Sequence, residues 1–336
     1  MKTYLDKNVY EAALERIAYC FQEFDNVLVA FSGGKDSGVM LNLCYDYANE
    51  HGLLDKLTMY HLDYEAQYQM TTEYVTRTFL EQFPGIRKMW YCVPIKAQSA
   101  CALGEPYWTP WDAAKKKLWV RAMPENPYVV HEGNLDVPFR HGMVDYEFQD
   151  KLSRHFAKKR GTTAVMVGLR ADESLNRYAA VARGKKRRSY EGRKWITQTS
   201  AVTANVYPLY DWRVSDIWTA TARFGFDYNR LYDLLYQAGL TAGQMRVASP
   251  FNDCAQESLK LYKVIDPSNW ARMIGRVNGV NFTGLYGGTT AMGWKTIKLP
   301  PGHTWKSYYE FLLSTMDART AAHYNNCLLY TSPSPR

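Results

Sequence analysis

The sequence predicts an α/β fold: a parallel twisted sheet with helices on both faces, plus a mostly helical C-terminal region. Three observations predict it. Short apolar runs at 27–31, 57–62 and 163–168 have the continuous character of strands buried on both faces. Segments of helical period stand between them. The first run passes through a glycine turn, Ser32-Gly33-Gly34-Lys35-Asp36-Ser37, straight into an apolar helical pattern.

Taken in order, 8–24 reads as an amphipathic helix, with Ala12, Leu14, Ile17, Ala18 and Phe21 at helical spacing. The strand at 27–31 and its turn follow. Strand, glycine turn, helix is the geometry of a phosphate cradle. Glycines let the backbone approach an anion, and the helix N-terminus offers free N–H groups and a positive dipole end. Ser32 and Ser37 can add hydroxyl donors and Lys35 a point charge. The turn is not a Walker A loop, because Val29 stands where that motif needs its first glycine and Asp36 follows the lysine. It also lacks G-x-G-x-x-G. The helix from Ser37 ends near His51-Gly52.

The strand at 57–62 runs into Asp63-Tyr64-Glu65. Asp63 and Glu65 have two readings. At the C-terminal edge of a parallel strand they suit a ligand, either Mg²⁺ or a ribose. They equally suit a turn and the acidic first turn of the next helix, read at 71–83. A third strand is read at 87–93. From 98 to 138 the periodicity is lost in a stretch rich in Trp, Pro and Tyr. It reads as a packed insertion beside the site, either surface-packed or a substrate platform. A helix is read at 144–160.

The strand at 163–168 opens into Gly168-Leu169-Arg170-Ala171-Asp172-Glu173-Ser174, with Arg177 beyond. Asp172 and Glu173 suit a helix's first turn. Arg170 sits past the strand's C-terminal end, where a guanidinium can fork onto a phosphate or sulfate.

The S-G-G-x-D-S turn resembles the PP-loop of the ATP pyrophosphatase superfamily. G-L-R-x-D-E-S-x-x-R (168–177) resembles the second motif of the phosphoadenosine phosphosulfate (PAPS) reductase family, and Pro208-Leu209-Tyr210-Asp211-Trp212 with Asp216-Ile217-Trp218 resembles its next block. The stretches at 62–68, 108–124, 228–251 and 270–279 look most like its IbrA-like branch, described as PAPS sulfotransferases or reductases. The resemblance implies a Rossmann-like, adenine nucleotide alpha hydrolase-like fold that binds ATP or PAPS. It implies that Ser32, Gly33, Gly34, Lys35, Asp36 and Ser37 hold nucleotide phosphates. Asp63, Glu65, Gly168, Arg170, Glu173, Ser174 and Arg177 would face the same cleft. Lys35, Asp36 and Arg170 are the expected catalytic residues, and Asp36 and Asp63 the expected Mg²⁺ ligands. The implied reactions are adenylation with pyrophosphate release, or sulfur or sulfo transfer. A nucleotide-binding regulatory module with a ParB-like partner and a thiol-dependent PAPS reductase are the alternatives. The last lacks its expected E-C-G-L-H-type motif. Cys254 is the candidate C-terminal thiol, and it reads as buried and inert.

Composition sets the outer bounds. The chain has 336 residues, 46% apolar and 22% charged, which is ordinary for a globular protein. No apolar run reaches the length of a membrane span, and the N-terminus has no signal-peptide pattern, so a cytoplasmic protein is expected. Six cysteines are scattered without a C-x-x-C pair, so neither zinc nor an iron–sulfur cluster is expected, and Cys20 and Cys44 read as core thiols. A net charge of +8 suits a polyanionic ligand. The basic run Arg183–Arg188, with Arg193 and Lys194, reads as a loop, either solvated or contacting nucleotide phosphates or nucleic acid. Further helices are read at 214–224, 228–238, 256–264 and 267–277, and a glycine-rich loop at 278–293. The expected organisation is a nucleotide-binding domain at 1–222, a helical region at 223–326, and a tail at 327–336 foreign to the native protein. An oligomer is compatible with all of this.

Overall fold

In the computed structural model, helix α1 (Val9–Glu23) leads into strand β1 (Asn26–Ala30), helix α2 (Lys35–Glu50) and strand β2 (Leu57–Leu62). Helix α3 (Gln69–Leu80) and strand β3 (Arg87–Cys92) follow, then the short strands β4 (Ala97–Gln98), β5 (Tyr107–Trp108) and β6 (Val129–His131). Next come α4 (Asp145–Arg160), β7 (Thr163–Val167), α5 (Leu175–Ala182), β8 (Ser189–Tyr190), β9 (Arg193–Gln198) and β10 (Thr203–Val206). Helices α6 (Val214–Phe224), α7 (Leu231–Gln237), α8 (Tyr262–Ile265), α9 (Pro267–Arg276) and α10 (Val280–Tyr286) complete the first of two compact units, Met1–Gly288. The second unit, Thr289–Arg336, holds α11 (Trp305–Ser314) and α12 (Ala318–Thr331). The described residues are 6–102, 104–182, 189–247, 249–292 and 299–331. The basic run Arg183–Arg188 lies outside them.

Eight strands form one sheet in the order β6-β3-β2-β1-β7-β10-β9-β8. The six strands from β6 to β10 are parallel, and β9 and β8 add an antiparallel edge. The order reverses direction at β1, between β2 and β7. That is the topological switch point, where such sheets bind ligands beyond their carboxyl ends.

Alternation along β1 assigns the two layers. Val27 and Val29 point into a core with α1, α2, α3 and α6, while Leu28 points into the opposite core with α4. All three are fully buried, each contributing about 1.5–3 kcal/mol. Local signals explain the helix ends. Asn8 and Glu11 form a capping box on α1, and Asp266 caps α9 ahead of Pro267. A third core joins the aromatic insertion to the C-terminal helices, through Trp108, Tyr232, Phe251, Tyr262 and Trp270.

Four readings are corrected. Arg193 and Lys194 are not in a loop. They open strand β9, whose Ile196 pairs with Val206 of β10. The expected helix at 256–264 is instead one 3₁₀ turn at Leu259–Leu261 and the single turn α8, with the Gln256 side chain donating to Ala100 O at 2.8 Å and the backbone bonds before α8 running three residues back. The expected loop at 278–293 contains α10, whose Gly284 packs against the Trp270 ring. Asp172 and Glu173 precede α5 rather than opening it. Within the insertion, β6 joins the main sheet beside β3.

His61 on β2 is fully enclosed, with Nδ1 2.8 Å from Phe31 O. Burial pushes its pKa down, against the pull of Asp63. At Asp63 burial raises the pKa, but Arg121, His61 and the Glu65 amide outweigh it and hold the carboxyl low. Both shifts have the same sign for stability: the unfolded chain binds the proton first. Urea midpoints are therefore expected to fall as pH drops below about 6.5, through His61, and again below about 4, through Asp63. His61→Gln is expected to flatten the limb between pH 7 and 5; an unchanged slope there removes His61 as its source.

Candidate nucleotide site

The site is built where β1 ends. Phe31 N still bonds to Tyr60 O, then the chain turns at Ser32. Gly33 has φ +76°, a left-handed conformation that side chains adopt at a cost. Gly34 caps α2, and Lys35 is the first helical residue. The two serines fix the loop from within: Ser37 Oγ accepts from Ser32 N at 3.1 Å, donates to Gly34 O at 3.1 Å and lies 3.0 Å from Ser32 Oγ. The amides of Asp36 and Ser37 lie in the first turn of α2, and no acceptor among the described residues takes them. They are left available as donors at this turn. Gly168, past the end of β7, backs it closely: a Cβ there would stand 3.0 Å from Ser37 N and 3.1 Å from Asp36 C.

Charge surrounds this cradle. Lys35 Nζ lies 3.0 Å from Asp36 Oδ2 and 5.3 Å from the centre of the Tyr232 ring. Arg170 is 3% exposed, with Nε on Asp36, Nη1 on Asp172 and Nη2 3.7 Å from Glu173. Burial works against its charge, but these carboxylates outweigh it and raise its pKa. Glu173 also meets Arg177 at 2.9 Å and Arg246 at 3.1 Å. Ser174 Oγ accepts from the Arg177 amide at 3.2 Å. So Ser32 to Ser37, Gly168, Arg170, Glu173 and Arg177 are gathered on one side of the sheet's carboxyl edge.

Asp63 and Glu65 are placed differently. Both are fully buried. Asp63 accepts from Glu65 N and Trp90 Nε1, each at 2.8 Å, and from Arg121 at 2.5 and 2.6 Å. Glu65, at φ +65°, accepts from Arg276 at 2.8 and 3.0 Å, from Trp111 N at 2.6 Å and from Val120 N at 3.0 Å. Their oxygens are saturated by the chain itself, and they tie the insertion and α9 to the end of β2. The expected Mg²⁺ ligands therefore do not fit a site made by protein groups. Asp63 is closed by Arg121, Asp36 is shared by Lys35 and Arg170, and no group of three or more His, Cys, Asp or Glu among the described residues could hold a metal ion.

Sequence reasoning missed the roof of the cradle. Tyr232 OH accepts from Lys35 N at 3.1 Å, and Asn229 Nδ2 reaches Gly33 O at 3.3 Å and Thr71 Oγ1 at 2.9 Å. Both lie in a stretch whose pattern shows only a helix. A separate groove of about 1080 Å³, which no cradle residue lines, lies along Cys92, Trp111, Trp119, Arg121, His131 and Arg272. Trp108 and Trp111 are buried, but most of the insertion is exposed or half-buried, and both Trp111 and Trp119 line the groove. Cys254 is exposed, not buried as expected. Desolvation nevertheless raises its thiol pKa against the pull of Arg246, which leaves it protonated and weakly nucleophilic at neutral pH.

A mostly parallel α/β sheet whose order reverses at β1, with helices on both faces and free first-turn amides at the switch point, defines a Rossmann-like protein. The chain belongs to the phosphoadenosine phosphosulfate reductase domain family, whose model matches residues 26–238. Residues 239–333 match a second model, a domain of unknown function, DUF3440. The chain is 36% identical over 327 residues to the uncharacterized protein YbdN of Escherichia coli strain K12, covering 96% of this chain and 79% of that one. Among solved structures it is similar to the PAPS reductase of Candida auris in a phosphate complex, at 15% identity and TM-score 0.38, covering 69% of this chain and 93% of that one. The U34-tRNA thiolase NcsA of Methanococcus maripaludis, with its 4Fe-4S cluster, matches at 13% identity and TM-score 0.37, covering 83% and 82%. Among the described residues no helix is long and apolar enough to cross a membrane.

Proposed function

We propose that this protein is an adenine-nucleotide enzyme of the adenylating type. ATP lies with its phosphates in the Ser32–Ser37 cradle. An acceptor forms a bond to the α-phosphorus, the bond from that phosphorus to the bridging oxygen breaks, and pyrophosphate leaves with the electron pair. The chain's part is positioning and charge stabilisation: the Asp36 and Ser37 amides and Lys35 take charge developing on the leaving pyrophosphate. The observation that carries this reading is the cradle with its free first-turn amides, backed by Gly168 and ringed by Lys35, Arg170, Arg177 and Arg246. The absence of an E-C-G-L-H-type motif around Cys254, together with the desolvation that raises its thiol pKa, favours it over attack of a thiolate on PAPS.

A product assay on the full chain tests it, with Mg-ATP in one reaction and PAPS with a thiol reductant in another. Pyrophosphate and an adenylylated acceptor from ATP, in a mixture of candidate acceptors, are the expected products, with free AMP in place of the adduct where water is the acceptor. Adenosine bisphosphate and sulfite from PAPS, with ATP untouched, replace this reading with the reductase one.

A further inference from the structure

We infer that Arg246 binds a second anionic group of the ligand, so the ligand carries two anionic groups, one in the amide cradle and one beneath this guanidinium. The inference rests on the nucleotide reading and deepens it: the segment after residue 238 supplies one of the phosphate-binding side chains.

Arg170 is the cation that sequence points to, but its donors are committed. It is 3% exposed and faces Asp36, Asp172 and Glu173 at once. It organises carboxylates and presents nothing outward. Glu173 in turn meets three guanidiniums, Arg170 at 3.7 Å, Arg177 at 2.9 Å and Arg246 at 3.1 Å, with its own side chain 7% exposed. Four cations here, Lys35, Arg170, Arg177 and Arg246, face three carboxylates, Asp36, Asp172 and Glu173. The cluster holds a surplus of positive charge that one more anion balances.

Arg246 is the member built to receive that anion. One donor, on Nη1, holds Glu173, and no described acceptor takes the others of its five. The side chain is 26% exposed, so those donors are open to a ligand. Its backbone is fixed over the cradle: Met245 and Val247 on either side are buried, and Val247 Cγ2 lies 3.4 Å from where a Gly34 Cβ would stand. An anchored guanidinium with a free edge matches a phosphate or sulfate fork. Arg246 lies beyond residues 26–238, the part matched by the reductase model, so the following segment completes the cleft.

The test is calorimetric titration of the full chain and of Arg246→Ala and Arg246→Lys with ATP, AMP and inorganic pyrophosphate. Arg246→Ala is expected to weaken ATP and pyrophosphate roughly 10- to 100-fold and AMP by less than about 3-fold. Arg246→Lys is expected to recover part of the loss, as a point charge without the fork. Thermal midpoints should match the native chain, because Glu173 keeps Arg170 and Arg177. Unchanged ATP and pyrophosphate affinity in Arg246→Ala, or an equal loss for AMP, overturns the inference. Pyrophosphate binding that depends on Arg246, with no nucleotide binding, keeps it and removes the nucleotide reading. A native chain that binds none of the three overturns both.

Discussion

Lys35→Ala is expected to bind ATP roughly 10- to 150-fold more weakly than the native chain, the equivalent of about 1.5–3 kcal/mol for one charged hydrogen bond. The side chain starts the helix that carries the cradle, and its ammonium sits 3.0 Å from Asp36 and over the Tyr232 ring. Its removal leaves Asp36 paired with Arg170, so no buried carboxylate is stranded. The fold is therefore expected to persist, with an unchanged urea midpoint. Calorimetry at two salt concentrations separates the effect from general electrostatics: the native affinity should fall with salt more steeply than the variant's. Equal ATP affinity in the two proteins would mean that Lys35 serves Asp36 alone.

Glu65→Gln is expected to be the most destabilising substitution in the region, by about 3–5 kcal/mol. The glutamine keeps the shape of the side chain and removes its charge. Arg276, with its side chain 2% exposed, is left as a buried cation without a counter-ion. The amides of Trp111 and Val120 also lose one of their carboxylate acceptors. A typical domain has only about 5–15 kcal/mol in total, so urea unfolding should shift far to the left. Arg276→Met should cost a similar amount. The double variant should lose much less than the two single losses added together, because neither partner is then stranded. Additive losses, or a loss below about 1 kcal/mol for Glu65→Gln, would show that the pair does not hold the insertion to the sheet.

The sequence is most legible where a local period decides the structure. β2 over Leu57–Leu62, β7 over Thr163–Val167 and α6 over Val214–Phe224 follow their hydrophobic patterns to within a residue. The cradle was legible because the residues that make a helix N-terminus bind anions are adjacent in the chain. β9 and β10 were not, because Arg193, Lys194, Thr203 and Asn205 carry no continuous apolar run and take strand form only by pairing with each other and with β7. The roles of Asp63 and Glu65 were hidden for a related reason. What decides between a ligand and an ion pair is the partner, and Arg121 and Arg276 arrive 58 and 211 residues later. Arg246 was invisible on the same ground, since nothing near it in the chain names Glu173.

The Glu65–Arg276 pair also sets an order of events during synthesis. Glu65 leaves the ribosome 211 residues ahead of its partner. At about 5–20 residues per second, that is a wait of roughly 10–40 s. In this interval all the parallel strands, β1, β2, β3, β6, β7 and β10, have already been made, so the sheet can assemble while the carboxylate is still hydrated. The Glu65 end of the carboxyl edge can gain its counter-ion only once translation has passed Arg276.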